Sequence, residues 1–248
     1  MTHQTEKPAM AVYVTAGFAT APNFLDEFAD KLVARLVQEG ISARAVIHFP
    51  YGDWHRSKRN QLFEIASDMW LHTHRRPTKF GGIDMARLIR QDAAADERLL
   101  LIGHSAGAVA ALISAQLLRG EGRTIAGVIQ IGSPRCAVPA ALQDVVLNIE
   151  GVHPETRRRD VIPRFGTWGG LSWRKWFTLG WHRTKHAPVH RISLPLIGGH
   201  PDYFRSGAPY RWQEITNLQA VIDVIWRWLQ TREEATIHAG YYESNDGT

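Results

Sequence analysis

Four consecutive apolar residues, Leu99-Leu100-Leu101-Ile102, run directly into Gly103-His104-Ser105-Ala106-Gly107 and then into a segment rich in Ala and Leu. Such a run reads as a strand buried on both faces, and Val109, Leu112, Ile113, Gln116 and Leu117 behind it have helical spacing. A chain that passes from buried strand to helix in so few residues must turn very tightly. Side chains at positions 103 and 107 would strike the neighbouring strand and helix, and glycine occupies both. The turn lifts Ser105 out on a strained backbone, with the free N–H groups of a helix start pointing at it. This is the pattern of a nucleophile elbow, and the rest of the chain must supply a base, an acid and donors for an oxyanion.

Alternating strands and helices surround the elbow. Met10 to Phe18 reads as a buried strand, and Leu25, Phe28, Leu32, Val33, Leu36 and Val37 mark an amphipathic helix stopped by Gly40. Ala43 to Phe49 is a second strand. From Arg56 to Gln91 two helices are expected, separated by Pro77 and Gly81-Gly82, the first burying Leu62, Ala66, Met69 and Trp70; His72 and His74 fall at the break and read as solvated. Ile125–Ile131, Val145–Ile149 and Val189–Ile197 are further strands. Ile215, Leu218, Ile222, Ile225, Trp226 and Leu229 mark a C-terminal helix. The order predicts an α/β protein with a mostly parallel sheet covered by helices on both faces. No linker divides it, so residues 9–231 are expected to form one domain, with residues 232–248 a disordered tail.

Here the chain resembles the α/β-hydrolase superfamily, whose triads run Ser, Asp or Glu, then His. His200 is the expected base: it follows the last strand, after Gly198-Gly199, whereas His153, His182, His186 and His190 are not both after a strand and after the acid. His104 should point away from the mouth. Asp160, in Arg159-Asp160-Val161-Ile162-Pro163-Arg164, is the first choice for the acid, with Glu150 and Glu155 as rivals. A second resemblance separates them. Gly132-Ser133-Pro134-Arg135 followed by Asp-x-x-Pro-Arg is similar to the fungal-type (class 3) lipase family, in which the aspartate of the second motif is the triad acid; the resemblance, over residues 10 to 205, implies Ser105 as nucleophile and Asp160 as acid. Ala106 stands where that family usually has Leu, Cys136-Ala137 where Val-Gly is usual, and the sequence around His200 is unlike the family's. The expected oxyanion donors are the backbone N–H groups of Ala106 and Phe18.

These features imply a serine hydrolase that cleaves carboxylic esters through an acyl-enzyme, without cofactor or metal. Thioesterase, amidase or acyltransferase chemistry could use the same residues, and a non-catalytic binding module is the remaining alternative. The substrate is expected to be a small ester, of acyl or lipid type. The net charge of +5 is concentrated: residues 156–191 carry nine Lys/Arg against one acid, Asp160. No helix-turn-helix, zinc or RNA-binding signature accompanies that stretch, which argues against nucleic acid. Instead, four of the nine tryptophans lie between Trp168 and Trp181. Residues 165–187 are therefore expected to form an insertion, either a lid facing a membrane surface or a helix packed permanently over the sheet, with Ser172 capping a short helix that presents Trp173, Trp176 and Phe177, to substrate in the first case. His182 and His186 lack a carboxylate between them and do not read as metal ligands. The start of the chain lacks the basic flank of a signal peptide, so a cytoplasmic location is expected, with secretion as the alternative.

Overall fold

The computed structural model describes residues 9–74, 76–173 and 178–245, with residues 234–245 as backbone only. Six parallel strands form the central sheet: β1 (Met10–Thr15), β2 (Ala43–His48), β3 (Arg98–His104), β4 (Ile125–Ile131), β5 (Val146–Val152) and β8 (His190–Pro195), in the order β2-β1-β3-β4-β5-β8. The near-continuous apolar strands are central, and alternation divides their side chains between two cores. Leu100 and Ile102 of β3 meet Phe28, Leu32 and Leu36 of α1 (Asp26–Gln38) and Leu218, Ile222 and Ile225 of α5 (Asn217–Asn245) in one. Leu99 and Leu101 meet Met85 and Ile89 of α3 (Gly81–Asp92) and Val109 and Leu112 of α4 (Gly107–Gly120) in the other. Each buried Leu or Ile contributes about 1.5–3 kcal/mol of hydrophobic stabilisation. Helices on both faces leave both sheet surfaces dry, which is what strands apolar on both sides require.

Three expectations change. First, α2 (Lys58–Thr73) buries Gln61, Ile65, Asp68 and His72, while Leu62 and Trp70 point outward at 61% and 58% exposure. The reason is polar: Asp68 accepts from Tyr51 Oη at 3.2 Å and from the N–H groups of Lys79, Phe80 and Gly82, so it fixes α2 against the start of α3. His72 lies inside α2, buried, with Nε2 2.7 Å from Ala137 O, and is not solvated; burial, its largest influence, pushes its pKa down.

Second, the aromatic insertion contains no helix across Ser172 and Trp173. These residues end β6 (Gly170–Trp173), which pairs antiparallel with β7 (Leu179–His182), Ser172 opposite Gly180. Aromatic residues such as Trp173 and Trp181 suit paired strands. Trp173 stands out at 74% exposure; Trp176 and Phe177 lie outside the described residues. Third, α5 continues to Asn245 rather than ending near Thr231. Good helix formers, Arg232-Glu233-Glu234-Ala235, follow Thr231 directly, and Arg98 Nη1 pairs with Glu233 Oε1 at 2.9 Å on the extended part.

Candidate active site

β3 ends at His104, and Ser105 takes φ of +57°, in the left-handed region that a non-glycine residue rarely adopts. Its N–H donates to Ile131 O at 2.9 Å, tying the turn to the end of β4. The flanking glycines are required by contact. A Cβ on Gly103 would lie 2.3 Å from Ala108 N, and one on Gly107 2.6 Å from Thr15 O. Ser105 is half-buried at the C-terminal edge of the sheet, with α4 starting immediately behind it.

His200 follows β8 on a loop and turns its Nδ1 to Asp160 Oδ2 at 2.7 Å, so the ring donates from Nδ1 and keeps its lone pair on Nε2. Nε2 is buried and makes no hydrogen bond, to Ser105 or to any other group among the described residues. In an unliganded site that hydrogen bond is often unformed and tightens with substrate. Asp160 receives two further donors, Tyr203 Oη on Oδ2 at 2.9 Å and Ile162 N–H on Oδ1 at 3.0 Å. Burial pushes its carboxyl up, but the hydrogen bond and charge of His200, together with the other two donors, outweigh burial and hold it below the ordinary carboxylate range. Glu150 sits elsewhere, 3.6 Å from Arg159 Nη1.

Sequence reasoning missed two supports of this pair. Tyr203 is buried, which pushes its phenol well above the usual value and keeps it a donor to Asp160, while its oxygen accepts Gly151 N–H at 2.7 Å. Its signal was an aromatic residue three positions after the candidate base. The other is Gly132, at φ of +56°: a Cβ there would lie 2.9 Å from Asp160 Oδ2 and 3.1 Å from His200 Cε1. Glycine at the head of Gly132-Ser133-Pro134-Arg135 thus leaves room for the acid and the base. His104 is also close to the site, its ring stacked on that of His200 with centroids 4.7 Å apart.

Of the two expected oxyanion donors, Ala106 is met by the residue before the other: Gly17 lies against the elbow so closely that a Cβ on it would be 2.7 Å from Ala106 N and 2.9 Å from Ser105 Cβ. Neither the Phe18 nor the Ala106 N–H is donated to another group among the described residues. Gly17→Ala is expected to push the loop off the elbow and lower kcat by about 10- to 100-fold with little change in melting temperature, because displacements near 1 Å at such a site have effects of this size. Steady-state kinetics and a thermal melt check it, and wild-type kcat would mean that the loop's position does not matter.

A cleft of about 470 Å³ lies on the Asp160 side of His200, lined in part by His153, Arg158 and Arg159; Ser105 does not line it. Among the described residues no group of three or more His, Cys, Asp or Glu side chains is placed to hold a metal ion, and no helix is long and apolar enough to cross a membrane.

A parallel sheet covered on both faces, with a serine on a strained turn between its central strand and the following helix, defines an α/β-hydrolase. The lipase (class 3) family matches residues 81–169, from the start of α3 through the elbow and past Asp160. Over that stretch the chain is similar to class 3 lipases, and the match together with the α/β-hydrolase fold supports a hydrolytic enzyme of the lipase/esterase type. No curated protein matches it. Similar solved structures include the thioesterase domain NocB in covalent complex with a fluorophosphonate nocardicin G analog (14% identity, 90% of this chain and 96% of that one, TM-score 0.49). Others are a putative α/β-superfamily hydrolase from Xanthomonas campestris (15%, 90% and 99%, 0.44) and a Trichoderma reesei cutinase in complex with a phosphonate inhibitor (18%, 65% and 67%, 0.39).

Proposed function

We propose that the protein hydrolyses carboxylic esters through a covalent acyl-enzyme on Ser105. The observation that carries this reading is the short Asp160–His200 hydrogen bond in the loop next to the strained elbow, which leaves a lone pair on a buried, unpaired Nε2. His200 Nε2 takes the Ser105 Oγ proton as Oγ bonds to the ester carbonyl carbon, and Asp160 stabilises the imidazolium. The Phe18 and Ala106 N–H groups hold the negative oxygen. The proton passes to the departing alcohol as the ester C–O bond breaks. Water then attacks the acyl-enzyme, giving its proton to His200, and the acid is released with Ser105 restored. Matched ester, thioester and amide substrates with one acyl chain test the reaction class. The ester is expected to show the highest kcat/KM, and a thioester preference of tenfold or more would move the protein to thioesterase chemistry.

We further propose that the ester is presented at an anionic lipid surface. Except for Val37, Val189 and Ile215, the exposed large apolar side chains of the described residues fall at Phe18, in residues 54–70 and in residues 161–181. Contacts join these stretches to the mouth: Ala19 N–H donates to Gln61 Oε1 at 2.9 Å, Trp54 N–H to Thr20 O at 3.1 Å, and a Cβ on Gly166 would lie 3.2 Å from Met69 Cε. Lys58, Arg59 and Arg164 are exposed at their edge, with no ion pair among the described residues. An apolar surface rimmed by cations fits anionic headgroups over acyl chains. Leu62→Glu/Phe63→Glu is expected to lower co-sedimentation with phosphatidylglycerol vesicles at least tenfold while leaving turnover of a short soluble ester within twofold. Unchanged vesicle binding would remove α2 from the surface.

A further inference from the structure

His104, the residue before the candidate nucleophile, is buried and is not used by the reaction as written above, yet it makes two separate contacts to the candidate base. Its Nε2 lies 3.1 Å from His200 O, and a carbonyl can only accept, so His104 carries its proton on Nε2 and anchors the His200 backbone. Its ring also lies almost parallel to that of His200, at 23° with centroids 4.7 Å apart. Strand geometry alone would turn residue 104 away from the mouth. It reaches His200 because the loop after β8 folds back over the end of β3.

The setting of His104 is apolar and aromatic. Phe24, Phe204 and Tyr203 stand around it at centroid distances of 5.6, 5.3 and 5.7 Å, and its Nδ1 is buried with no hydrogen-bond partner among the described residues. Burial, followed by the nearby positive charge of a protonated His200, pushes its pKa down to about 3. The ring therefore stays neutral while its neighbour takes up and releases a proton. A second imidazolium in contact with the first would oppose that proton transfer, whereas a neutral ring presents a π face to the cation.

We propose that His104 is a positioning residue for the base: its Nε2–H fixes the His200 backbone, and its neutral ring forms the platform on which the His200 imidazole turns toward Ser105. The proposal rests on the assignment of Ser105, Asp160 and His200, and it concerns kcat rather than substrate binding, because His104 is buried beneath the base. A hydrogen bond and a stacking surface are distinct services, and different variants remove them separately.

His104→Phe keeps a flat ring and removes the donor; His104→Gln keeps an amide donor and removes the ring. Each is expected to lower kcat about tenfold and the rate of fluorophosphonate labelling in parallel, with KM within twofold, while His104→Ala, lacking both, loses about 100-fold, the range set by misplacing a catalytic group. Partial recovery in Phe and Gln relative to Ala is the signature that a general packing role does not produce. Labelling and kcat within twofold of wild type in folded Phe and Gln variants would overturn the proposal, as would a loss confined to KM. Nitrogen-edited NMR of the wild-type histidines gives a test that does not depend on variants folding. The His104 ring should appear as the Nε2–H tautomer and stay neutral from pH 5 to 9, and a His104 that titrates in that range, or carries its proton on Nδ1, would overturn the proposal. The assignment beneath it fails separately: if Ser105→Ala or His200→Gln remains active, the triad is wrong whatever the His104 variants do.

Discussion

Ser105→Ala is expected to lower ester turnover by about 10⁵-fold or more, the scale on which removal of a triad nucleophile leaves only binding and oxyanion contacts, and to abolish fluorophosphonate labelling. Alanine retains the backbone through the turn and removes one oxygen that makes no hydrogen bond among the described residues. The strained φ at position 105 is demanded by the flanking contacts of Gly103, Gly107 and Gly17, which the substitution leaves in place. Melting temperature should therefore change little, so activity and folding are read independently. A folded variant that still labels, or that keeps more than about 1% of wild-type turnover, would show that the nucleophile lies elsewhere.

Asp160→Asn is the second large effect, about 10⁴-fold in kcat, because an amide can donate to His200 Nδ1 and so favour the tautomer that carries its proton on Nε2, the wrong nitrogen for accepting one from Ser105. The carboxylate is also the convergence point of three donors, His200, Tyr203 and Ile162. An asparagine amide placed toward Tyr203 and His200 would leave one of them facing another donor. Some loss of stability, about 1–3 kcal/mol, should accompany the kinetic loss. Glu150→Gln is the control: Glu150 pairs with Arg159 at 3.6 Å and, among the described residues, is hydrogen-bonded to neither His200 nor Tyr203, on which it acts only through its charge, so kcat should stay within about threefold of wild type. Kinetics of the two variants side by side decide between the carboxylates, and a deep loss in the Glu150 variant with an active Asp160 variant would reverse the assignment.

The aromatic insertion and α2 show how local pattern can mislead. Apolar residues at i, i+3 and i+4 within residues 173–177 fit a helix, yet Trp173 lies in a hairpin strand and is largely exposed. In α2 the apolar spacing of Leu62, Ala66, Met69 and Trp70 points to a buried stripe, while the buried stripe holds Gln61, Asp68 and His72. In α2, hydrogen bonds to Asp68 from Tyr51 and from the start of α3 decide the orientation, and large apolar side chains face outward. Periodicity reports which residues share a face; it does not say which face meets the core.

The sequence by itself determined the central architecture and the strand-to-helix turn at Ser105, because short apolar runs bounded by turn signals fit buried strands and because Gly103 answers contacts with Gly107 and Ala108 a few residues on, whereas Gly107 answers Thr15 and Ala16 at the end of β1. It also named Asp160 and His200, through order along the chain and through a resemblance of motifs. Only the tertiary structure decided what surrounds them. Asp160 and Tyr203 meet across 43 residues, and His104 and His200 across 96. Gly132 acquires its purpose from two side chains on other loops. These contacts are made by loops converging on the C-terminal edge of one sheet, and their partners are chosen by folding distance in space, which no local spacing in the chain encodes.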